Sequence, residues 1–305
     1  MPSGTRRPAA RIRPAAKNTP AGPLLAVDGD SFAHRSYHAL PKTIRMAGDK
    51  PAGSILGFAN FLIKLHEAEA PRAVVVGWDT LEAPTYRHKA FRAYQSGRQF
   101  DKALLDQLPL LREFVAVCGF VNARAAGYEA DDFLAAAAAL ARRRKWPIRI
   151  ASGDRDTFQL ASDSSTILYP VRAGELARIG PEQVVERYRV LPEQVPDFIA
   201  LRGDPSDRLP GAKGVGEAGA AALLLKYGTL EAMLKTGRFA REAEQLRLFR
   251  RIATMDAKAP LPAVKAITPA WDQAAALAWR WKLGKLAERL DRLAAVNQTS
   301  PASHA

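Results

Sequence analysis

Three short apolar runs in the first half of the chain each lead into an aspartate. Leu24-Leu25-Ala26-Val27 meets Asp28 directly. Ala73-Val74-Val75-Val76 leads through Gly77-Trp78 to Asp79, and Ile148-Arg149-Ile150-Ala151 leads through Ser152-Gly153 to Asp154. Runs that are apolar throughout, or nearly so, suit strands buried on both faces of a parallel sheet. Helical patterns at 54–68, 104–117 and 130–144 separate them, and such alternation marks an α/β fold. Ligands of open α/β sheets sit beyond the carboxyl ends of the strands, where all three aspartates fall. A single strand-end Asp can simply cap the next turn; three in series favour a shared site.

After Pro181 the pattern changes. Short helical segments are punctuated by Pro192, Pro196, Gly203, Pro205, Pro210, Gly211, Gly214 and Gly216. The expected organisation is a basic tail over 1–22, an α/β domain over 23–180, a helical region over 181–290 and a tail over 291–305. No internal repeat is seen. Trp271, Trp279 and Trp281 are expected to pack.

With 45 Lys and Arg against 31 Asp and Glu, the formal charge is +14, which fits a polyanionic partner. No apolar run approaches the ~20 residues of a transmembrane helix, so no membrane association is expected. The single cysteine, Cys118, excludes an internal disulfide framework and a thiolate zinc site, and is expected to pack as a small apolar residue. Arg6, Arg7, Arg11, Arg13 and Lys17 make the first residues a basic tail, without the apolar stretch of a signal peptide.

Against this cationic background the carboxylates are clustered: Asp28; Asp79; Glu129, Asp131 and Asp132; Asp154 and Asp156; Asp204 and Asp207. A crowd of carboxylates tolerates its own repulsion when cations fill it. Hard ions such as Mg²⁺ take carboxylate oxygen, and two divalent ions roughly 4 Å apart can activate a nucleophile and neutralise charge on a phosphodiester. Glu129 and Asp132 share a helix face, Asp131 joins Glu129 only if the first turn is irregular, and N-capping explains the triplet equally well. Alternation along a strand would place Asp154 and Asp156 on one side with Arg155 away. Asp204 and Asp207 bracket Pro205-Ser206 in a turn able to aim both at one ion.

Two further stretches suit nucleic acid. Gly214-Val215-Gly216-Glu217-Ala218-Gly219 fits a GxGxxG pattern, but no apolar strand precedes it and a dinucleotide site is rejected. A helix–hairpin–helix fits better: Gly211, Gly214 and Gly216 permit a tight turn, and the helix from Glu217 to Lys226 can hold a phosphate at its first turn, with Lys213 adding charge. Between Asp79 and Leu104, Tyr86, Arg87, Lys89, Arg92, Tyr94 and Arg98 interleave rings and cations, as stacking on a single strand requires. A solvated amphipathic helix explains that stretch equally well.

Together these segments resemble the 5′→3′ exonuclease and flap endonuclease family, most nearly the N-terminal nuclease domain of bacterial DNA polymerase I. The likeness is carried by Val27-Asp28-Gly29, Tyr86-Arg87-His88, Gly127 to Asp132, Gly153 to Asp156, Gly203 to Asp207 and Leu209 to Gly216. It runs from about Leu24 to Leu234. No polymerase domain follows in the sequence, so a stand-alone member is expected. The resemblance implies a PIN-like parallel-sheet nuclease domain flanked by helices, then a helical helix–three-turn–helix region that grips duplex DNA, sometimes with K⁺ at the turn. It implies Asp28, Asp79, Glu129 and Asp131 as ligands of a first Mg²⁺, with Mn²⁺ as an alternative. Asp132, Asp154, Asp156, Asp204 and Asp207 match acids of, or beside, the second ion.

The stretch near 82–103 would form an arch through which a 5′ end passes. There Gln95 stands where relatives usually carry a gateway lysine, Lys89 where many have Glu, His34 where an aromatic often stacks, and Arg208 where Asn is common. Lys89, Arg92 and Arg98 are candidates for the missing catalytic cation. Tyr86, Arg87, Tyr94, Arg208, Gly211, Lys213, Gly214, Val215 and Gly216 are candidate DNA contacts.

The expected activity is a divalent-metal-dependent cut near 5′ ends of branched or nicked DNA, and of RNA in RNA–DNA hybrids, by a monomer in the bacterial cytoplasm at the nucleoid. Two other readings are weighed. A non-catalytic DNA-junction binder would leave the carboxylates to repel its substrate. An RNA-directed PIN nuclease would usually lack the hairpin.

Overall fold

The computed structural model describes residues 22–97 and 99–299. A first strand, β1 (Leu24–Asp28), runs into α1 (Gly29–Ala39); a small hairpin, β2 (Arg45–Met46) and β3 (Lys50–Pro51), precedes α2 (Gly53–Glu69). Then come β4 (Ala73–Gly77), α3 (Tyr86–Ala90), α4 (Lys102–Leu105), α5 (Leu108–Val117), β5 (Val121–Ala123), α6 (Ala130–Arg144), β6 (Ile148–Ala151), β7 (Ser165–Pro170) and β8 (Leu176–Ile179). Helices complete the chain: α7 (Pro181–Tyr188), α8 (Val195–Arg202), α9 (Glu217–Tyr227), α10 (Leu230–Leu234), α11 (Ala243–Ala253), α12 (Trp271–Arg280) and α13 (Gly284–Thr299).

The sheet has the order β5-β4-β1-β6-β7-β8, parallel except for the β7–β8 pair. Its central strands are the three runs singled out in the sequence. Period-two alternation divides them between two cores. Leu24, Ala26, Ala73, Val75, Ile148 and Ile150 face the layer of α6, α8 and α11. Leu25, Val27, Val74, Val76 and Ala151 face α2, α5 and the final helices. Burial on both faces explains why these strands read as continuous apolar runs.

Alignment of strand ends places the site. Asp28 is partnered with Gly77 in the β1–β4 register, so the chain leaves both strands at one level. Gly77 is required there: a Cβ would stand 2.6 Å from the carbonyl oxygen of Ala130. The start of α6 is thereby pressed onto the end of β4, and Glu129 is carried to the sheet edge.

Three expectations on organisation are corrected. Residues 291–299 are the end of α13 rather than a tail. The stretch expected as an arch near 82–103 does not stand away from the body: it holds the five-residue α3 and the four-residue α4, Phe91 packs on Phe249, and Tyr94 is 3% exposed. The helical region expected over 181–290 also divides between the two cores. Helices α8, α9 and α11 join one, whereas α12 and α13 close over α2 and α5 on the other. Trp271 and Trp281 are buried there, as is Cys118; Trp279 is half exposed and donates to Asp291. Among the described residues no helix is long and apolar enough to cross a membrane. Residues 1–21 and 300–305 lie outside the described residues, and so does Arg98.

Candidate active site

A cleft of about 760 Å³ opens at the carboxyl edge of the sheet. Asp28, Asp79, Glu129, Asp131, Asp154, Asp156 and Asp207 line it, joined by Asp30, Ser31, His34, Arg35, Gln95, Phe100 and Arg208. Strand ends, helix starts and one turn each contribute.

Six of these seven acids accept a hydrogen bond on the carboxylate. Asp28 caps α1, accepting from the amide of Ser31 at 2.9 Å and from the Ser152 hydroxyl at 2.8 Å. Asp79 accepts from the amide of Ala130 at 2.8 Å, tying β4 to the start of α6. Glu129 accepts from the hydroxyls of Thr85 at 2.6 Å and Tyr94 at 2.8 Å. Asp131 Oδ2 meets Arg87 at 3.0 Å, while Asp131 Oδ1 is buried with no hydrogen-bond partner among the described residues. Asp154 accepts from the amide of Asp156 at 2.8 Å and starts a 3₁₀ turn at Arg155–Leu160. Asp207 accepts from the side-chain amide of Gln95 at 2.9 Å.

The crowding has an electrostatic cost. Burial pushes the Asp28 carboxyl up to about 7, with Asp79 and Asp154 adding to the rise and the Ser31 amide opposing it. Asp207 is also pushed to about 7, mainly by burial, with Gln95 opposing and Asp154, Asp204 and Glu129 adding. Asp131 and Asp156 rise for the same reasons, burial first and neighbouring carboxylates after it. A divalent cation is what such a set lacks. The donors are hard oxygens, and the orphaned oxygen of Asp131 is one open position. Among the described residues no three such side chains already stand as a finished cage; hydroxyls, amides and Arg87 occupy many of the oxygens. The residues fit divalent ions in chemistry and charge.

The comparisons with known proteins agree with this geometry. A family model described as the 5′-3′ exonuclease N-terminal resolvase-like domain matches residues 23–189, and one for the C-terminal SAM fold of the 5′-3′ exonuclease matches residues 190–273. The chain belongs to the 5′-3′ exonuclease family. It is 42% identical over 217 residues to the thermostable DNA polymerase I of Thermus thermophilus, an alignment covering 71% of this chain and 25% of the polymerase. The chain thus spans about a quarter of that relative's length. Its fold is similar to the flap endonuclease of bacteriophage T5 solved with DNA and metal ions, with TM-score 0.60 and 20% identity over 89% of this chain and 98% of that one. It is also similar to flap endonuclease-1 from Methanococcus jannaschii, with TM-score 0.57 and 15% identity over 91% and 94%.

Within this family fold, several residues sit differently from the expectation. Asp132 is not at the cleft. It is 0% exposed, and its oxygens accept from Arg87, Tyr86 and the amides of Glu129 and Asp256. At the third position of α6, Asp132 turns back onto the helix start, which settles the capping alternative for that residue. Asp154 and Asp156 both face the cleft through a 3₁₀ turn rather than strand alternation. Asp204 stands behind the cleft wall, accepting from Ser206 and lying 3.7 Å from Arg202; its charge still reaches Asp156 and Asp207.

The cations also differ. Lys89 and Arg92 are exposed and do not line the cleft, because Arg87 and Phe91 take the inward positions of their segment. Arg87 is 1% exposed and Tyr94 is buried; both touch the cleft from its wall, with their polar atoms spent on Glu129, Asp131 and Asp132. Tyr86 is half-buried, its hydroxyl on Asp132 at 3.0 Å. Burial and Glu129 push the Tyr94 phenol far above its ordinary value, which keeps it a donor. Arg208 does line the cleft, exposed and beside Gly97. Sequence reasoning missed Asp30, which is buried at the cleft and accepts from the amide of Asp79 at 2.7 Å. Its signal was a second acid two residues beyond a strand-end Asp. Arg35 was missed too, lying inside an ordinary helix.

The hairpin joins α8 to α9. Asp204 bridges to Leu209, and the amide of Ala212 donates to Leu201. A Cβ on Gly211 would stand 2.5 Å from the nitrogen of Gly203, and Gly211 takes a φ of +74°. Lys213, Gly214 and Gly216 are exposed, but the amide of Lys213 donates to Glu242 and that of Val215 to Ala212. Val215 packs against the core rather than facing outward. The amides of the first turn of α9, whose cap, Gly216, brings no side chain, can meet a phosphate.

Proposed function

We propose that this chain is a divalent-metal-dependent 5′ nuclease. It hydrolyses phosphodiesters near the 5′ ends of branched or nicked duplex DNA. RNA at the 5′ end of RNA–DNA hybrids is proposed as a second substrate, and replication and repair at the nucleoid of a bacterial cytoplasm as the setting. The chain is proposed to act as a monomer. The observation that carries the reading is the gathering of seven predicted acids in one cleft with one orphaned oxygen on Asp131.

Asp28, Asp79, Glu129 and Asp131 would hold one Mg²⁺, and Asp154, Asp156 and Asp207 a second, with Asp204 adding field from behind. Mn²⁺ suits the same oxygens, and a K⁺ site is proposed at the hairpin. Bound ions supply a nucleophile at neutral pH and neutralise charge on the phosphate. The chain's residues do the rest. Hydrogen bonds fix most of these carboxylates before substrate arrives, so little reorganisation is left for the reaction. Arg35 and Arg208 flank the cleft as phosphate contacts. The first turn of α9 holds the duplex backbone without reading sequence.

The test is cleavage of a labelled 5′-flap duplex, a blunt duplex and an RNA–DNA hybrid with Mg²⁺ and with chelator. The proposal expects product from the flap only with metal, and faster than from the blunt end. Tight flap binding with no metal-dependent product would support the junction-binder reading instead.

A further inference from the structure

One guanidinium faces three carboxylates at the start of α6. Arg87 grips Asp132 with two parallel bonds, Nη1 to Oδ2 at 3.0 Å and Nη2 to Oδ1 at 2.9 Å. Its Nε donates to the carbonyl of Ile252 in α11 at 2.9 Å, so the plane of the group is fixed from a third direction. From that position Nη2 also reaches Asp131 Oδ2 at 3.0 Å, and Nη1 lies 3.3 Å from Glu129 Oε2. The three acids do not share the load equally. Asp132 is sealed from solvent with both oxygens engaged, whereas Asp131 gives Arg87 one oxygen and keeps Oδ1 without a partner among the described residues.

We propose that Arg87 is a positioning residue: braced on Asp132 and Ile252, it holds one oxygen each of Asp131 and Glu129, which leaves Asp131 Oδ1 open to the ion site while Thr85 fixes the other oxygen of Glu129 beside it. Asp132 is then the anchor of the bracket and not a ligand. The idea depends on the metal-site reading above and deepens it. The charges do not cancel, since one cation among three carboxylates leaves the cluster anionic and receptive to a divalent ion. A fork is needed because two acids must be reached while a third is gripped in bidentate fashion, and an ammonium is a single point charge. Arg87 belongs to α3, so the bracket also ties the basic segment after Asp79 to the acids of α6.

Plain electrostatics and positioning predict opposite signs. Removing a positive charge beside a cation site should strengthen cation binding; removing a brace that orients the ligands should weaken it. Partners that orient metal ligands typically matter by roughly 10- to 100-fold in affinity. The experiment is titration of the full chain with Mn²⁺, followed by electron paramagnetic resonance, for the native protein, Arg87→Gln, Arg87→Lys and, as a control, Leu286→Ala in the far core. The expected result is about tenfold or weaker Mn²⁺ binding for both Arg87 variants, with the control unchanged although less stable. Equal or tighter binding by Arg87→Gln overturns the proposal, as does an equal loss in Leu286→Ala.

Should the Arg87 variants not fold, hydrogen exchange on the native chain decides. Mn²⁺ should raise amide protection across 86–91, because an ion that fixes Asp131 and Glu129 also fixes Arg87. Unchanged exchange there, with Mn²⁺ bound, contradicts the bracket. A native chain that binds no Mn²⁺ would instead sink the metal-site reading itself.

Discussion

At the cleft the proposed working atoms are carboxylate oxygens on largely buried side chains, most of them held by a donor. At the α8–α9 hairpin the proposed contacts are backbone amides and cations among exposed glycines. The cleft stores an electrostatic cost in the resting protein, visible in the raised carboxyls of Asp28 and Asp207. The hairpin stores a conformational one, in the left-handed backbone of Gly211 and Gly214. Chemistry at a phosphorus atom needs charge held ready in a fixed place. Gripping a duplex of any sequence needs only repeated contacts to phosphates. The two regions should therefore fail differently when altered.

The largest effect belongs to the cleft. Asp154→Ala should slow flap cleavage by roughly three orders of magnitude, with duplex affinity within about threefold, as measured by single-turnover rates beside a binding isotherm. Comparable losses in rate and affinity would erase the contrast between the regions. At the hairpin, Gly214→Val forces a β-branched residue to a φ of +75°. An added Cβ meets no heavy atom within 4 Å, so backbone strain is the main expected cost. About tenfold weaker duplex binding is expected, from strain of order 1–2 kcal/mol. The rate at saturating substrate should hold, so KM and kcat separate the two regions.

The segment joining the regions shows where the sequence was legible and where it was not. Strands β1, β4 and β6 were readable because burial on both faces leaves a continuous apolar run. Helix α6 was readable from its periodicity, and α9 from its glycine borders. Tyr86 to Arg98 was not, because interleaved rings and cations look the same whether they face nucleic acid or grip internal carboxylates. Arg87 and Tyr94 do the latter, and only tertiary contact with Glu129, Asp131 and Asp132 decides it. For α12 and α13 an amphipathic pattern shows that one face is covered but does not say by what; the answer is α2 and α5. Of the acids, strand ends and family motifs brought seven to the cleft, while Asp132 was lost to capping and Asp30 was hidden in the first turn of α1.

Smaller effects sharpen the comparison. Folded Asp28 and Asp207 sit near 7 against an ordinary value of 3.8. In metal-free protein their contribution to stability is therefore full below about pH 4 and is lost as pH rises through 7. Ions must displace those protons, so Mg²⁺ should raise the melting temperature more at pH 8 than at pH 5.5, by about 5 °C. A larger rise at the acid end would contradict the buried-carboxylate account. For the hairpin, Lys213→Ala should weaken duplex binding and lower the salt slope by about one unit, whatever the sequence. The smallest effect is expected at Lys89, outside the cleft: Lys89→Ala should keep the cleavage rate within about twofold, since surface changes away from a site are nearly neutral. A tenfold loss would restore it as the replacement for the gateway lysine.

The central claim is that the acids at the sheet edge hold a pair of ions. Crystals grown with Mn²⁺ and a nicked duplex, measured at the manganese absorption edge, test it directly. Two anomalous peaks roughly 4 Å apart are predicted, one beside Asp131 Oδ1 with Asp28 and Glu129, the other against Asp154 and Asp156. A cleft with no peak, or manganese found only elsewhere on the molecule, would contradict it.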